Sequence, residues 1–275
     1  LYNPHNDNFF RYGPDPTDPF SISNISVKVI YGDRQGRLWV GSNLEGIDVI
    51  DKYEFRFDHF YQTNDFKSIN NNIVRSFLED EQGNIWIATD GGGLNYFDRG
   101  KNEFTAFQHE PLKPSSISSN AVLSLCHDKD GKLWIGTWRG GINIFDYKSK
   151  TFSRFAPEIY EISKVFHLIK DKHDNMWIGT QSGGVSKYDW TTKKISTFTI
   201  KPHDSTSLAD NDVPVIFEDS EGNIWLGTEF NGLNLARQHA DVTISFQRFP
   251  HILKDPTSLP NGKVNHIFED SKKNL

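Results

Sequence analysis

The chain has 275 residues, 24% of them charged, with a formal net charge of −6. It is long enough to bury a substantial core in one large or two modest domains, and it has no basic run of the kind that neutralises phosphates, so nucleic acid is not expected as a partner. The 21 Phe, 9 Tyr and 7 Trp against a single Met favour sheet packing. Cys126 is the one cysteine, which rules out an internal disulfide framework and a multi-cysteine metal site. No stretch approaches the roughly 18 to 20 apolar residues of a membrane span, and no signal-peptide pattern is read at the N-terminus. No cofactor is expected.

In chain order, "LYNPHNDNFFRY" (1–12) aligns with "YFDRGKNEFTAF" (96–107) and predicts the end of a third strand, a turn and a fourth strand. Five longer stretches then align without gaps: "GRLWVGSNLEGIDVID" (36–51), "GNIWIATDGGGLNYFD" (83–98), "GKLWIGTWRGGINIFD" (131–146), "DNMWIGTQSGGVSKYD" (174–189) and "GNIWLGTEFNGLNLAR" (222–237). Their tryptophans, Trp39, Trp86, Trp134, Trp177 and Trp225, recur every 43 to 48 residues, the length of one four-stranded propeller blade. Finally "VNHIFEDSKKNL" (264–275) aligns with "VPVIFEDSEGNI" (213–224).

Each unit reads as strand, polar turn, strand, Gly-rich loop, strand, turn, strand, with few helical signals. In the second unit these are 74–80, 85–89, 94–98 and 103–107. The expected fold is an all-β propeller of four-stranded antiparallel blades spanning 24–60, 72–107, 120–155, 163–199 and 211–249. Partial blades at 1–12 and 263–275 flank the five complete ones. Gly36, Gly83, Gly131 and Gly222 are expected at positive φ in the turns. The five tryptophans are expected in the core between neighbouring sheets. The ends read either as a sixth blade lacking its second strand or, as favoured here, as cuts through a longer array whose exposed edges drive self-association.

In a four-stranded meander, the loop between the second and third strands shares a face with the connector to the next blade. The five such loops keep a frame of Ser or Thr and Gly and vary the two residues between. These are Asn43 and Leu44, Asp90 and Gly91, Trp138 and Arg139, Gln181 and Ser182, and Glu229 and Phe230. An aromatic beside a fixed cation, with Asn, Asp, Gln and Glu on the same face, is a composition that binds sugars by stacking and hydroxyl recognition. The candidate ligand residues are therefore Trp138, Arg139, Asp90, Glu229, Phe230, Gln181 and Asn43. Arg139 also suits a carboxylate or sulfate. The connectors repeat as Ser, Ile or Leu, then Asn or Asp, with Ser and Asn expected to satisfy backbone groups. The fourth unit is preceded by a shorter connector, "RFAPEIYEISKVF" (154–166), which predicts a notch in the rim.

No nucleophile elbow, zinc-protease motif or phosphate loop is present. "DKDG" (128–131) resembles the start of a calcium loop but coincides with a repeated turn. His127, His167 and His266 fall on or beside inner strands, as packed groups or as a channel lining. Asp90 and Glu229 share the predicted face, and a glycosidase would need a closely placed pair.

The repeated "G-N-I-W-I-G-T-x-x-G-G-L-x-x-F-D" pattern resembles the two-component regulator propeller repeats, with departures at Ala88, Ser42, Ala236 and Arg237. The resemblance implies the periplasmic sensor of a hybrid histidine kinase in glycan-degrading bacteria, part of a seven-bladed ring, dimeric in its receptor, with a membrane span and kinase downstream. It implies an oligosaccharide ligand and no catalysis by this part of the chain. A propeller glycosidase or lyase, and a protein-binding rim with Trp138 and Phe230 as hot spots, stand as alternatives.

Overall fold

The computed structural model describes residues 2–3, 8–9, 11–51, 56–156, 159–239 and 243–275. The turn at 4–7 within the expected N-terminal partial blade lies outside the described residues. The chain divides into two units, one of residues 1–108 and 120–122, the other of residues 109–119 and 123–275. Twenty strands form five four-stranded antiparallel sheets, each paired in strict chain order, so the meander expected from the repeat is the observed topology. No helix among the described residues is long and apolar enough to cross a membrane.

The first unit holds two blades, with strands Val27–Gly32, Arg37–Ser42, Ile47–Asp51 and Phe57–Phe60, then Val74–Glu79, Ile85–Thr89, Gly93–Asp98 and Glu103–Phe107. It also holds a short hairpin of Tyr2–Asn3 and Asn8–Phe9. That hairpin pairs Tyr2 with Phe9 and Asn3 with Asn8, the same register as Phe97 with Phe104 and Asp98 with Glu103. The second unit holds blades three to five, from the strand Val122–His127, all but its first residue, through Val165–Lys170 to Ile244–Phe249. Residues 263–270 pair with no strand among the described residues and form no ladder.

The repeated tryptophans sit where a blade meets the next. Trp39 is 1% exposed and packs against Phe77 and Phe97 of the following blade, at centroid distances of 6.0 and 5.6 Å. Trp134 packs likewise against Tyr188 and Trp190, at 6.1 and 5.8 Å. Close approach of blades requires a small residue two positions on: a Cβ on Gly136 would lie 2.6 Å from Val165 Cγ1.

One carboxylate organises each blade end. Asp128 Oδ1 accepts the backbone N–H groups of Asp130 and Lys132, both at 2.9 Å, and its Oδ2 accepts Trp134 Nε1–H at 2.9 Å. Asp33, Asp171 and Asp219 repeat the arrangement with Trp39, Trp177 and Trp225, each at 2.8 Å. In blade two Asp80 accepts from the Tyr96 hydroxyl at 3.0 Å, and the Tyr96 ring lies 4.5 Å from that of Trp86. Burial alone would raise the Asp33 carboxyl, but hydrogen bonds from Trp39, Arg37 and Arg99 outweigh it and hold it below the usual carboxylate range. "DKDG" is thus a turn whose first carboxylate is used by the fold. Gly36, Gly83, Gly131 and Gly222 have φ of 84°, 85°, 76° and 84°, as expected.

Connectors are tied down by a second polar series on the third strands. Backbone N–H groups of Ser23, Asn70, Ser118 and Ala209 donate to Asp48, Asn95, Asn143 and Asn234, at 3.2, 3.3, 3.0 and 3.0 Å. Connector Ser hydroxyls accept nearby backbone N–H groups, as Ser207 does from Lys201 at 2.9 Å. In blade three, Asn143 Nδ2 also donates to Ser118 Oγ at 2.7 Å. In blade five, Ala209 takes the place of Ser118, and the buried Asn234 Nδ2 has no hydrogen-bond partner among the described residues. A compensating change accounts for this. A Cβ on Gly140 would lie 2.4 Å from Ser118 Oγ, and blade five carries Asn231 where blade three has Gly140.

Two predictions follow from these bonds. Ala209→Ser should clash with the Asn231 Cβ alone but engage Asn234 when combined with Asn231→Gly. A urea-unfolding double-mutant cycle should show favourable coupling of about 1 kcal/mol, and additivity would contradict the pairing. His167 Nδ1 accepts the Ile216 N–H at 3.1 Å, and burial, with the neighbouring His266, lowers its pKa to about 4. The neutral ring is therefore the folded form, and its contribution is present above about pH 6.5 and lost as pH falls toward 4. His167→Asn, which keeps an acceptor without the titration, should flatten the stability loss over that window by about 1 to 2 kcal/mol relative to the native chain.

Candidate functional site

The loops between second and third strands share one construction. Thr89, Thr137, Thr180 and Thr228 each turn their Oγ1–H onto the carbonyl of the closing glycine, at 2.8 to 2.9 Å. That glycine's N–H donates to the incoming connector, as Gly46 does to Asn72 O at 3.1 Å, Gly141 to Ser163 O at 2.9 Å and Gly184 to Asn211 O at 2.9 Å. The frame leaves the two residues after Ser or Thr free of structural duty in the loop's own closure.

In the first unit, Asn43 is half-buried and its N–H donates to Ser26 O at 3.2 Å. The Asp90 carboxylate is held by Arg75 through Nη2 at 2.6 Å and Nε at 3.2 Å. Asp90 is thereby anchored to the inner strand.

In the second unit, a run of contacts links the three loops. Trp138 is half-buried, its ring 5.7 Å from that of Phe166, and Lys164 Nζ lies 5.6 Å from the indole centroid. The Lys164 carbonyl accepts the Gln181 N–H at 3.0 Å, and Ser182 N–H donates to Asp212 Oδ1 at 2.6 Å. Asp212 O in turn accepts Glu229 N–H at 3.1 Å. The Glu229 carboxylate is ion-paired with Lys263, and Phe230, 67% exposed, is fixed by its N–H to Asp210 Oδ2 at 3.0 Å. Trp138, Arg139 and Gln181 thus share a neighbourhood around Lys164, with Glu229 and Phe230 one loop further along. Neither Asp90 nor Glu229 is a carboxylate without a cation beside it.

Arg139 differs from the other candidates. It is exposed, has a φ of 62°, and its guanidinium forms no ion pair among the described residues. The same loop position in blade two is Gly91, for which positive φ carries no steric cost. Arginine there holds a backbone conformation that glycine would hold more cheaply.

The short connector opens a notch beside it. A Cβ on Gly46, Gly93, Gly184 or Gly232 would lie 2.1 to 2.3 Å from the carbonyl of the fourth strand's terminal phenylalanine. At Gly141 the nearest atom is Ile162 O, 3.6 Å away. In blades one and four, the side chains of Asn72 and Asn211 draw the chain inward by accepting N–H groups from Gln62 and Ile200, at 2.7 and 2.8 Å. Ser163 and Lys164 supply no such asparagine, and the residue that would donate is Pro157, which has no N–H. A cavity of about 460 Å³ results, lined by Arg139, Gly141, Phe155, Ala156, Ile159 and Ile162.

Phe166, Ile159 and Ile162 escaped the reading of the sequence, although the missing connector residues marked the place. Among the described residues, no cluster of His, Cys, Asp and Glu is arranged to hold a metal ion.

Four segments, residues 21–44, 68–91, 116–139 and 207–230, match the model of the two component regulator propeller. The chain is similar to the extracellular domain of BT3049 from B. thetaiotaomicron, assigned as a hybrid two component system, with 26% identity and a TM-score of 0.68. The extracellular domain of BT4673 from the same organism is 20% identical with a TM-score of 0.63. These alignments cover 92% and 83% of this chain but only 38% and 32% of those domains. Virginiamycin B lyase from Staphylococcus aureus, 13% identical with a TM-score of 0.60 over 82% of this chain and 71% of the lyase, shares the fold. No curated protein matches the chain.

Proposed function

We propose that this chain, built of two component regulator propeller repeats, is part of the extracytoplasmic sensor of a hybrid two-component receptor. It binds an oligosaccharide without turnover and passes the event to an attached histidine kinase that controls glycan-utilisation genes. The observation that carries the reading is the separation of frame from content in the loops. Threonine, glycine and connector carbonyl are hydrogen-bonded alike, while the paired residues change from blade to blade. Loops of that kind on a rigid scaffold present chemistry to a ligand. Similarity to the BT3049 extracellular domain supports the sensory role and a periplasmic location.

Catalysis is the weaker reading on electrostatic grounds. A glycosidase needs one carboxyl group kept protonated and a second held ionised close by. Asp90 and Glu229 are each paired with a cation, Arg75 and Lys263, an arrangement that suits anchoring. A protein-binding rim is favoured by one observation, the exposure of Phe230 and Leu44 at 67% and 60%.

Titration calorimetry with a panel of plant, host and microbial oligosaccharides tests the proposal. A selective saccharide should bind, remain intact after incubation, and lose at least about 1 kcal/mol of affinity in Trp138→Ala through loss of the aromatic contact. Binding by none of the panel would overturn the saccharide reading, and release of product would overturn the non-enzymatic one.

A further inference from the structure

The notch beside blade three has a chemistry distinct from the rest of the rim. Phe155, Ala156, Ile159 and Ile162 line it, with Ser163 and the glycines Gly140 and Gly141. The guanidinium of Arg154, also at its edge, is already committed to Ser116 O at 2.8 Å and to Asn143 Oδ1. Arg139 is not committed to any carboxylate, and neither is Lys164 on the next strand's approach; Glu161, the acid on this connector, forms no ion pair with either among the described residues. Arg139 is therefore an exposed cation without an acidic partner among the described residues, whereas the half-buried Lys164 keeps its ammonium 5.6 Å from the Trp138 ring and Glu229 has its own basic partner in Lys263.

We infer that this notch binds the acidic end of the saccharide, taking a uronic acid residue whose carboxylate pairs with Arg139. The inference rests on the saccharide reading above and narrows it. A uronic acid ring offers an apolar C–H face to Phe155 and Ile159 and one planar anion to a guanidinium, which can accept it in a two-pronged manner. A neutral sugar shares the ring hydroxyls and lacks the carboxylate, so the pairing with Arg139 is what separates the two. The volume, about 460 Å³, lies within the range of about 300 to 1,000 Å³ of small-molecule sites. The opening exists because the connector is two residues shorter between its buried isoleucine and the inner-strand valine, Ile162 to Val165, than Ile117 to Val122.

The test is calorimetry of the 275-residue chain with uronic acid di- and trisaccharides and with the same sugars after reduction of their carboxyl groups to alcohols. The acidic forms should bind at least 10-fold more tightly, with an advantage that shrinks as salt is raised. Arg139→Gln should remove that 10-fold advantage, and Arg139→Lys should keep part of it, while circular dichroism and cooperative unfolding show both variants folded. Equal affinity for acidic and reduced sugars, or a preference that survives Arg139→Gln, would overturn the notch assignment and leave the saccharide reading standing. Failure of acidic, reduced and panel sugars alike would remove both.

Discussion

A single carboxylate holds each blade in shape. Placed at the end of the first strand, Asp33, Asp128, Asp171 or Asp219 gathers the N–H groups of the turn that follows and the indole N–H of the tryptophan six residues on. One side chain thus fixes the turn, sets where the second strand begins and orients the tryptophan toward the neighbouring blade. A buried carboxylate is expensive unless its lone pairs are filled. Here three or more donors fill them, so the group that would be a liability becomes a register pin. Asp270 Oδ1 likewise accepts the Lys272 and Asn274 N–H groups at 2.8 Å.

With that end of the blade fixed, the opposite end can vary. Threonine hydroxyl, glycine carbonyl and connector close each loop by bonds that do not involve the side chains of the intervening pair. The chain can then carry Trp138 and Arg139 in one loop, Gln181 and Ser182 in the next, and Glu229 and Phe230 in the third. Where the frame itself changes, neighbours change with it: Asn231 in place of a glycine accompanies Ala209 in place of a serine, and the shorter connector before Val165 leaves a notch. Departures from the repeat are where the surface opens.

Much of this was legible in the sequence. The period of the tryptophans gave the blade, and the turn glycines took the positive φ expected of them. The asparagines and serines of the connectors satisfy backbone groups as their types predicted. The Asp to Trp spacing was present in all five repeats and was passed over, because a carboxylate in a turn has a sufficient local explanation and its long-range bond does not show in composition. The division into two units left no trace in the repeat, since the same motif runs through both. The partners of Trp138 were hidden because Phe166 and Lys164 belong to the next blade. The ion pairs of Asp90 and Glu229 join residues 15 and 34 positions apart, separations that carry no periodic signal.

The measurement that bears most directly on this account is urea unfolding of Asp128→Ala beside Trp134→Phe. If the carboxylate is the pin, its removal should cost about 3 kcal/mol or more, because two turn N–H groups and the indole lose their acceptor together, and it should exceed the cost of removing the indole N–H alone. A loss below about 1 kcal/mol for Asp128→Ala, within the range of a single ordinary hydrogen bond, would show that the blades hold their shape by packing without it.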